Sequence, residues 1–573
     1  MQYQISFLFP QKQIIDIKIE LEKGDFSTIL LQIPAWRPGR YELQNYARNI
    51  LNFKVFDENN QVLDWIKVNR NSWKVETSIH LKTNITYSYY ASQMDAGGSW
   101  LDANQLYINP INCLMYVKDR ENEPIEFSLN LPDDYKIVTG LPYSNSEKLL
   151  AKNYLQLADS PIIASKDLQT FTFHINSIAF NICIEGNCKP DWARFEADFT
   201  KFIQSQIAVF GTFPERNYYF LFQILPYSFY HGVEHRNSTV ITLGPDEKFG
   251  NDDFYTNLLG ISSHELFHAW NICKIRPMEM MPYDLQKENY FSTGFIAEGV
   301  TTYYGDLMLF RAEVWTMEVY FSQLNANINA HFSSAARNTV SLVQSSLDLW
   351  VDGYGKTHPQ RKVSIYDKGA IVSLILDIEI RRESQNIKSL DDVMRYLWTE
   401  FGQKSIGYSM DDYKNAVEGI IGKPMGKYFD DCIFGCVPLE RILAKNLDYL
   451  GLVLQIEHPS DILEQKFGLR LSKTGEKWNV LALDTTSPAE KALSLKDEII
   501  SINGFENSDA WQKMHDNQAL NIILNRAGKE ITKTLISDQG NYFPVYSIRH
   551  NANSTELQLN NFKKWRFGNF STV

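Results

Sequence analysis

The sequence has no run near the ~20 consecutive apolar residues that a membrane-spanning helix needs, so no membrane partner is expected. It lacks a basic excess: 56 Lys and Arg stand against 68 Asp and Glu, a net charge of -12. Nucleic acid and anionic membranes both demand basic surfaces, so neither is expected as a main partner. Cysteine is scarce, with six in 573 residues, which excludes a disulfide scaffold. Cys183 with Cys188, and Cys432 with Cys436, are close in sequence but not at zinc-ribbon spacing. Free thiols in a reducing cytoplasm are the expectation. Repeats and low-complexity linkers are also missing, so the domains are expected to pack closely. The first residues, MQYQISFLFPQKQIIDIKIELEKGD, carry no basic n-region and already alternate like a strand. They read as structure rather than as a signal peptide.

What is present is ordinary for a soluble globular chain, with 44% apolar and 22% charged residues. The length suits about three or four domains. Over residues 1–170, runs such as QIIDIKIELEKG, ILLQIPAW and SWKVETSIHLKTNITYSYYAS are β-branched or aromatic, parted by turn clusters such as Asn59-Asn60. They predict an antiparallel β-domain. Residues 171–445 read as mostly helical after a strand-rich start. DWARFEADFTKFIQSQIAVFG and DFYTNLLGISSHELFHAW have helical spacing, the second with Asp252 or Asp253 able to cap it. STGFIAEGVTTYYGDLMLFRA is a further helix with a Ser292 or Thr293 cap, and GAIVSLILDIEIRRES another. Strands return over 446–553, where TSPAEKALSLKDEIISINGFE predicts a short helix, a polar turn and a strand; 554–573 reads as a C-terminal tail. The class is multidomain α+β.

The chemistry concentrates in His264-Glu265-Leu266-Phe267-His268. Positions four apart share a helix face, so His264 and His268 can offer imidazoles to one ion. Glu265, turned about 100° from His264, is placed to hold a water without ligating. A structural histidine pair on a buried helix would have the same spacing. A catalytic zinc needs three protein donors and an open position. Glu298, early in the next helix among apolar and hydroxyl-bearing residues, is the best third ligand, since burying a lone glutamate there is costly. Glu279 and Asp284 compete from a Met/Pro-rich loop that is less able to fix them. In such a site Glu265 serves as general base and then proton donor to the leaving amine.

HELFHAW followed by FIAEG, preceded by HGVEHRNST and followed by YDKGAIVSLILDIEIR, resembles the glycyl aminopeptidase family of zinc metallopeptidases, HExxH gluzincins related to aminopeptidase N. PAWRPGRYELQNYARNI resembles that family's β-domain, and SPAEKALSLKDEIISING resembles a PDZ domain. The resemblance covers nearly the whole chain. It implies an N-terminal antiparallel β-domain, a thermolysin-like catalytic domain and a C-terminal PDZ-like domain. It implies His264, His268 and Glu298 as ligands of one zinc ion (Zn2+) per chain, Glu265 as base, and Tyr366 as donor to the oxyanion. It implies Glu234 as the partner of a substrate α-amine, where a carboxylate makes a charge-assisted pair that an internal peptide bond cannot reproduce. Gly232 would let backbone come close to substrate. Against the wider aminopeptidase pattern, position 233 is Val rather than Met and position 235 is His rather than Asn. The stretch from His268 to Glu298 is also longer, as if it held an insertion. Phe467, Gly468 and Leu469 are candidates for a carboxylate-binding loop taking a C-terminal peptide.

The leading expectation is a zinc aminopeptidase that releases N-terminal residues, small Gly/Ala-type ones, from peptides. A zinc endopeptidase of the same fold is the alternative. A PDZ-mediated binding protein on an inactive peptidase body is a reading from another class.

Overall fold

Ile15, Ile17, Ile19 and Leu21 alternate with Asp16, Lys18 and Glu20 along one strand, Ile14–Glu22, and only the apolar set is buried. That period of two recurs through the N-terminal third and makes it a β-structure. In a computed structural model, residues 1–22, 27–77, 82–144, 148–355, 357–506, 511 and 519–568 are described. Residues 78–81 of the long strand run read from Ser72, 507–510 and 512–518 of the C-terminal strand region, and 569–573 of the tail lie outside the described residues. The first 165 residues build a six-stranded sheet and two four-stranded sheets. They share one core that includes Tyr3, Ile17, Leu31, Trp73, Tyr87 and Phe127. One pairing in the large sheet, Gln2–Ser6 with Ile125–Asn130, is parallel, so the sheet is mixed rather than wholly antiparallel.

A second sheet region precedes the helices. Its five strands run in the order Gln169–Ile175, Ile178–Glu185, Asn217–Ile224, Ser238–Gly244, Phe229–His235. The last of these is an edge strand, antiparallel to Ser238–Gly244. Helix Trp192–Phe210 packs Phe195, Phe199 and Phe202 into the core. It is capped by Asp191, whose side chain accepts from Arg194 N at 3.1 Å, and ends at Gly211, φ +83°. The long helices Asp252–Phe267, Thr301–Arg311 and Asp367–Glu383 follow in the same core.

Past residue 450, a five-stranded antiparallel sheet carries its own core of Phe467, Leu469, Val480, Ile502, Trp511 and Leu520. The flanking strands Leu452–Glu457 and Val545–His550 pair with each other and join the helical core instead. The short helix expected after Thr485 is a single turn, Leu493 N to Ala489 O, between Thr486 and Lys496 at φ +70° and +69°. Those left-handed ends leave too few residues to repay helix nucleation. The residues read as a tail form a helix, Glu556–Phe567, with a Thr555–Gln558 capping box. It anchors through buried Trp565, whose indole N–H donates to Tyr303 Oη at 3.0 Å. Among the described residues, no helix is long and apolar enough to cross a membrane.

Candidate metal centre

Helix Asp252–Phe267 starts at Asn251, which makes no side-chain cap bond; Asp252 and Asp253 sit in the first turn, where the helix dipole favours a carboxylate. His264 lies in the last turn and His268 at the C-cap. The neighbouring helix comes close because Gly305 has no side chain: a Cβ there would stand 3.0 Å from His264 Cα. Ser263 Oγ ties the two helices by donating to Gly305 O at 2.7 Å. Glu298 is carried by a π-helical stretch, Phe295–Val300, that leads into Thr301–Arg311. Such stretches re-aim side chains at functional sites. One residue on, Gly299 meets Gly369 backbone to backbone, and a Cβ on either would overlap the other. This contact explains why both FIAEG and YDKG end in glycine. It brings Tyr366, just before helix Asp367–Glu383, toward the two histidines, with its ring centroid 6.4 Å from that of His264.

The three predicted ligands converge. His264 Nε2 is 3.1 Å from His268 Nε2, and Glu298 Oε2 is 3.4 Å from His268 Nε2 and 3.8 Å from His264 Nε2. Asn271, unanticipated from the sequence, orients two of them. Its carbonyl O lies 2.6 Å from His268 Nδ1, which turns Nε2 inward. Its amide donates to Ile296 O at 2.8 Å and Thr301 Oγ1 at 3.0 Å, holding the π-helical stretch. Tyr41, in the PGRYE run of the N-terminal region, donates to Glu298 Oε1 at 3.0 Å. Nothing in the local sequence pattern marks it, since the two residues are 257 apart.

Glu265, Glu234 and His268 form a second group whose donor atoms all lie within 4.8 Å of one another. Burial, with Glu234 and Glu298 adding and His268 opposing, holds the Glu265 carboxyl up at about 8. Burial likewise raises Glu234. For Glu298 burial acts upward too, but His268 and His264 outweigh it and depress the carboxyl. Three buried glutamates thus surround two imidazoles, and one oxygen each of Glu234 and Glu265 has no protein partner. A cation at the His264–His268–Glu298 convergence would satisfy that excess of negative charge. Two imidazoles and a carboxylate also form a donor set suited to catalytic zinc. The residues fit the ion.

A cavity of about 370 Å³ opens over these groups, between the edge strand and the helices. Glu234 and Gly232 face it from the strand, and Tyr366 from the far side. The room left by the missing Gly232 Cβ is filled by the Glu265 carboxylate, which a Cβ would overlap. Glu234 is backed in the same way by Gly39, φ +79°, from the N-terminal region. The segment read as an insertion does not line this cavity. Cys273, Lys274, Arg276 and Tyr283 line a second one, behind Glu234. Phe467 ends a helix, Gly468 is its left-handed cap with N–H donating to Glu464 O at 3.1 Å, and Leu469 pairs with Leu483. The Gly468 N–H of the expected carboxylate loop is therefore spent inside the fold.

Residues 2–166 match the model of the Peptidase M61 N-terminal domain, and residues 257–372 that of M61 glycyl aminopeptidase. The chain is a metallopeptidase. The crystal structure of an aminopeptidase N family protein from Idiomarina loihiensis superposes on this metallopeptidase with a TM-score of 0.90 at 24% identity, covering 98% of this chain and 99% of that one. At that identity it shares the fold. A mutant M1 zinc metallopeptidase of Deinococcus radiodurans, bound to a Tyr-Ser-Ala substrate, superposes more loosely: TM-score 0.47, 13% identity, 76% of this chain and 94% of that one. No curated protein matches the sequence.

Proposed function

We propose that this metallopeptidase is a zinc-dependent aminopeptidase of thermolysin-like catalytic fold, acting on small N-terminal residues of peptides. The domains proposed are 1–170, 171–445 and a PDZ-like unit within 446–553. The observation that carries the reading is the position of Glu234: buried, backed by Gly39, and within 4.8 Å of the donor atoms of Glu265 and His268.

When bound, the ion supplies Lewis-acid chemistry, polarising the scissile carbonyl and lowering the pKa of a water. Glu234 pairs with the substrate α-ammonium and sets the register, so that the first peptide bond lies over His264 and His268. The unpaired edge of Phe229–His235 offers main-chain groups to the rest of the peptide. Glu265 takes a proton from the attacking water and passes it to the leaving amine. Tyr366, its hydroxyl kept protonated by burial, donates to the oxyanion. Gly39 and Glu234 line the cavity beside the place of the first residue, for which a small Gly/Ala-type side chain is the proposed preference.

The test compares alanyl peptides with free and N-acetylated amines. The free amine should be cleaved at least ~100-fold faster, and Glu234→Gln should raise KM for it by about tenfold or more. Equal cleavage of the two peptides would refute the exopeptidase assignment. Chelation should abolish hydrolysis and added zinc restore it.

A further inference from the structure

Beyond the ligands, the cavity runs on between helices Asp252–Phe267 and Thr301–Arg311. From the first, Ile261, Gly260, Asn257 and Thr256 face it, each step taking it about 1.5 Å per residue away from His264. From the second, Thr302 and Asp306 face it one turn apart. Asp306 directly follows Gly305, the residue pressed against His264, and lines the same cavity as the ligands without being one of them. Among the described residues it has no hydrogen-bond or ion-pair partner. Burial alone pushes its carboxyl up to about 7. Trp315 forms the adjoining wall against Gly260, 5% exposed, with an indole N–H that has no acceptor. Tyr230 faces the same space from the edge strand, two residues before Gly232.

Direction along the strand fixes which part of a substrate arrives there. With the amine at Glu234 and the scissile bond beside Gly232 and Glu265, the next residue lies toward Tyr230, on the Asp306 side. We propose that Asp306 and Trp315 form a pocket for the residue following the scissile bond, and that it selects a cationic side chain, lysine or arginine. The proposal rests on the aminopeptidase reading, which sets the register. A partly desolvated carboxylate gains a charge-assisted hydrogen bond from an ammonium or guanidinium and penalises a second carboxylate. The indole face adds a cation–π contact.

The experiment measures kcat/KM at pH 8, where Asp306 is ionised, for Ala-X-Ala with X lysine, norleucine or glutamate. Norleucine keeps the lysine stem and removes only the charge. The wild-type enzyme should prefer lysine to norleucine by at least about 10-fold and place glutamate last. In Asp306→Asn the lysine-to-norleucine ratio should fall to about one, with circular dichroism checking the fold. Because it is a ratio within one enzyme, a general loss of activity does not mimic it. Cleavage of all three at similar rates, or a lysine preference that survives Asp306→Asn, overturns the pocket while leaving the aminopeptidase reading intact. Cleavage of none of the three, with internal peptide bonds cut instead, overturns both.

Discussion

Replacing Tyr41 by Phe should weaken zinc binding although Tyr41 is not a ligand. The hydroxyl donates at 3.0 Å to Glu298 Oε1, and the two residues are 1% and 3% exposed. Burial first, then the charge of Glu298, holds the phenol protonated, so it acts as a donor. Phe keeps the ring, which packs at 5.1 Å from Phe291 and 6.1 Å from Trp350, and removes only the hydrogen bond. A hydrogen bond to a buried charged group contributes about 1.5–3 kcal/mol, and its loss leaves a carboxylate oxygen desolvated without a partner. If that cost falls on the oriented ligand, zinc affinity should drop by about 10–100-fold. Competition with a fluorescent chelator at fixed pH reads the affinity, and thermal unfolding of the metal-free protein reads packing separately. An affinity equal to that of the parent, with a lowered melting temperature, would show that Tyr41 only packs and would refute the argument.

Gly232→Ala puts a Cβ where the Glu265 carboxylate lies, so kcat should fall by about 10²-fold through misplacement of the base, with KM changed far less; steady-state kinetics on an alanyl peptide checks it, and an unchanged kcat would refute it. Asp391 forms a buried ion pair with Arg311 at 2.8 Å and accepts from Tyr304 at 2.8 Å. Asp391→Ala should therefore cost about 3–5 kcal/mol, measured by denaturant unfolding. Burial raises the Asp391 carboxyl, but Arg311 and Arg381 outweigh it and depress it. Its contribution is then complete above the ordinary aspartate value of ~3.9 and lost as pH falls through the lower folded value. Asp391→Asn should flatten the acid limb of stability against pH.

The convergence of three residues was legible in the sequence. His264, His268 and Glu298 are brought together, and the helices that carry them begin and end near their capping signals. The π-helical stretch at Phe295–Val300 was not legible, because it is produced by the Gly299–Gly369 contact and the Asn271 bonds rather than by its own residues. Tyr41 and Gly39 were missed for a related reason: their roles exist only once the N-terminal region is set against the helices. The close fit of the Glu265 carboxylate against Gly232 has no local signal either, because strand and helix meet only in the fold. In the C-terminal part, the strands stood out by β-branched pattern. That Leu452–Glu457 and Val545–His550 belong to the helical core could not be seen locally, since their pairing spans nearly the whole intervening sheet.

The segment between His268 and Glu298 also bears on the order in which the molecule is made. Leu285 O and Asp284 O accept from Ala35 N and the Trp36 indole, each at 2.7 Å, and Gln286 donates to Tyr116 Oη at 2.7 Å. Those partners all leave the ribosome before the segment does, and N-terminal units generally fold first during synthesis. The chain joining the second histidine to the glutamate therefore emerges onto a finished β-surface that can receive it. The metal site is then assembled against a template laid down well over a hundred residues earlier.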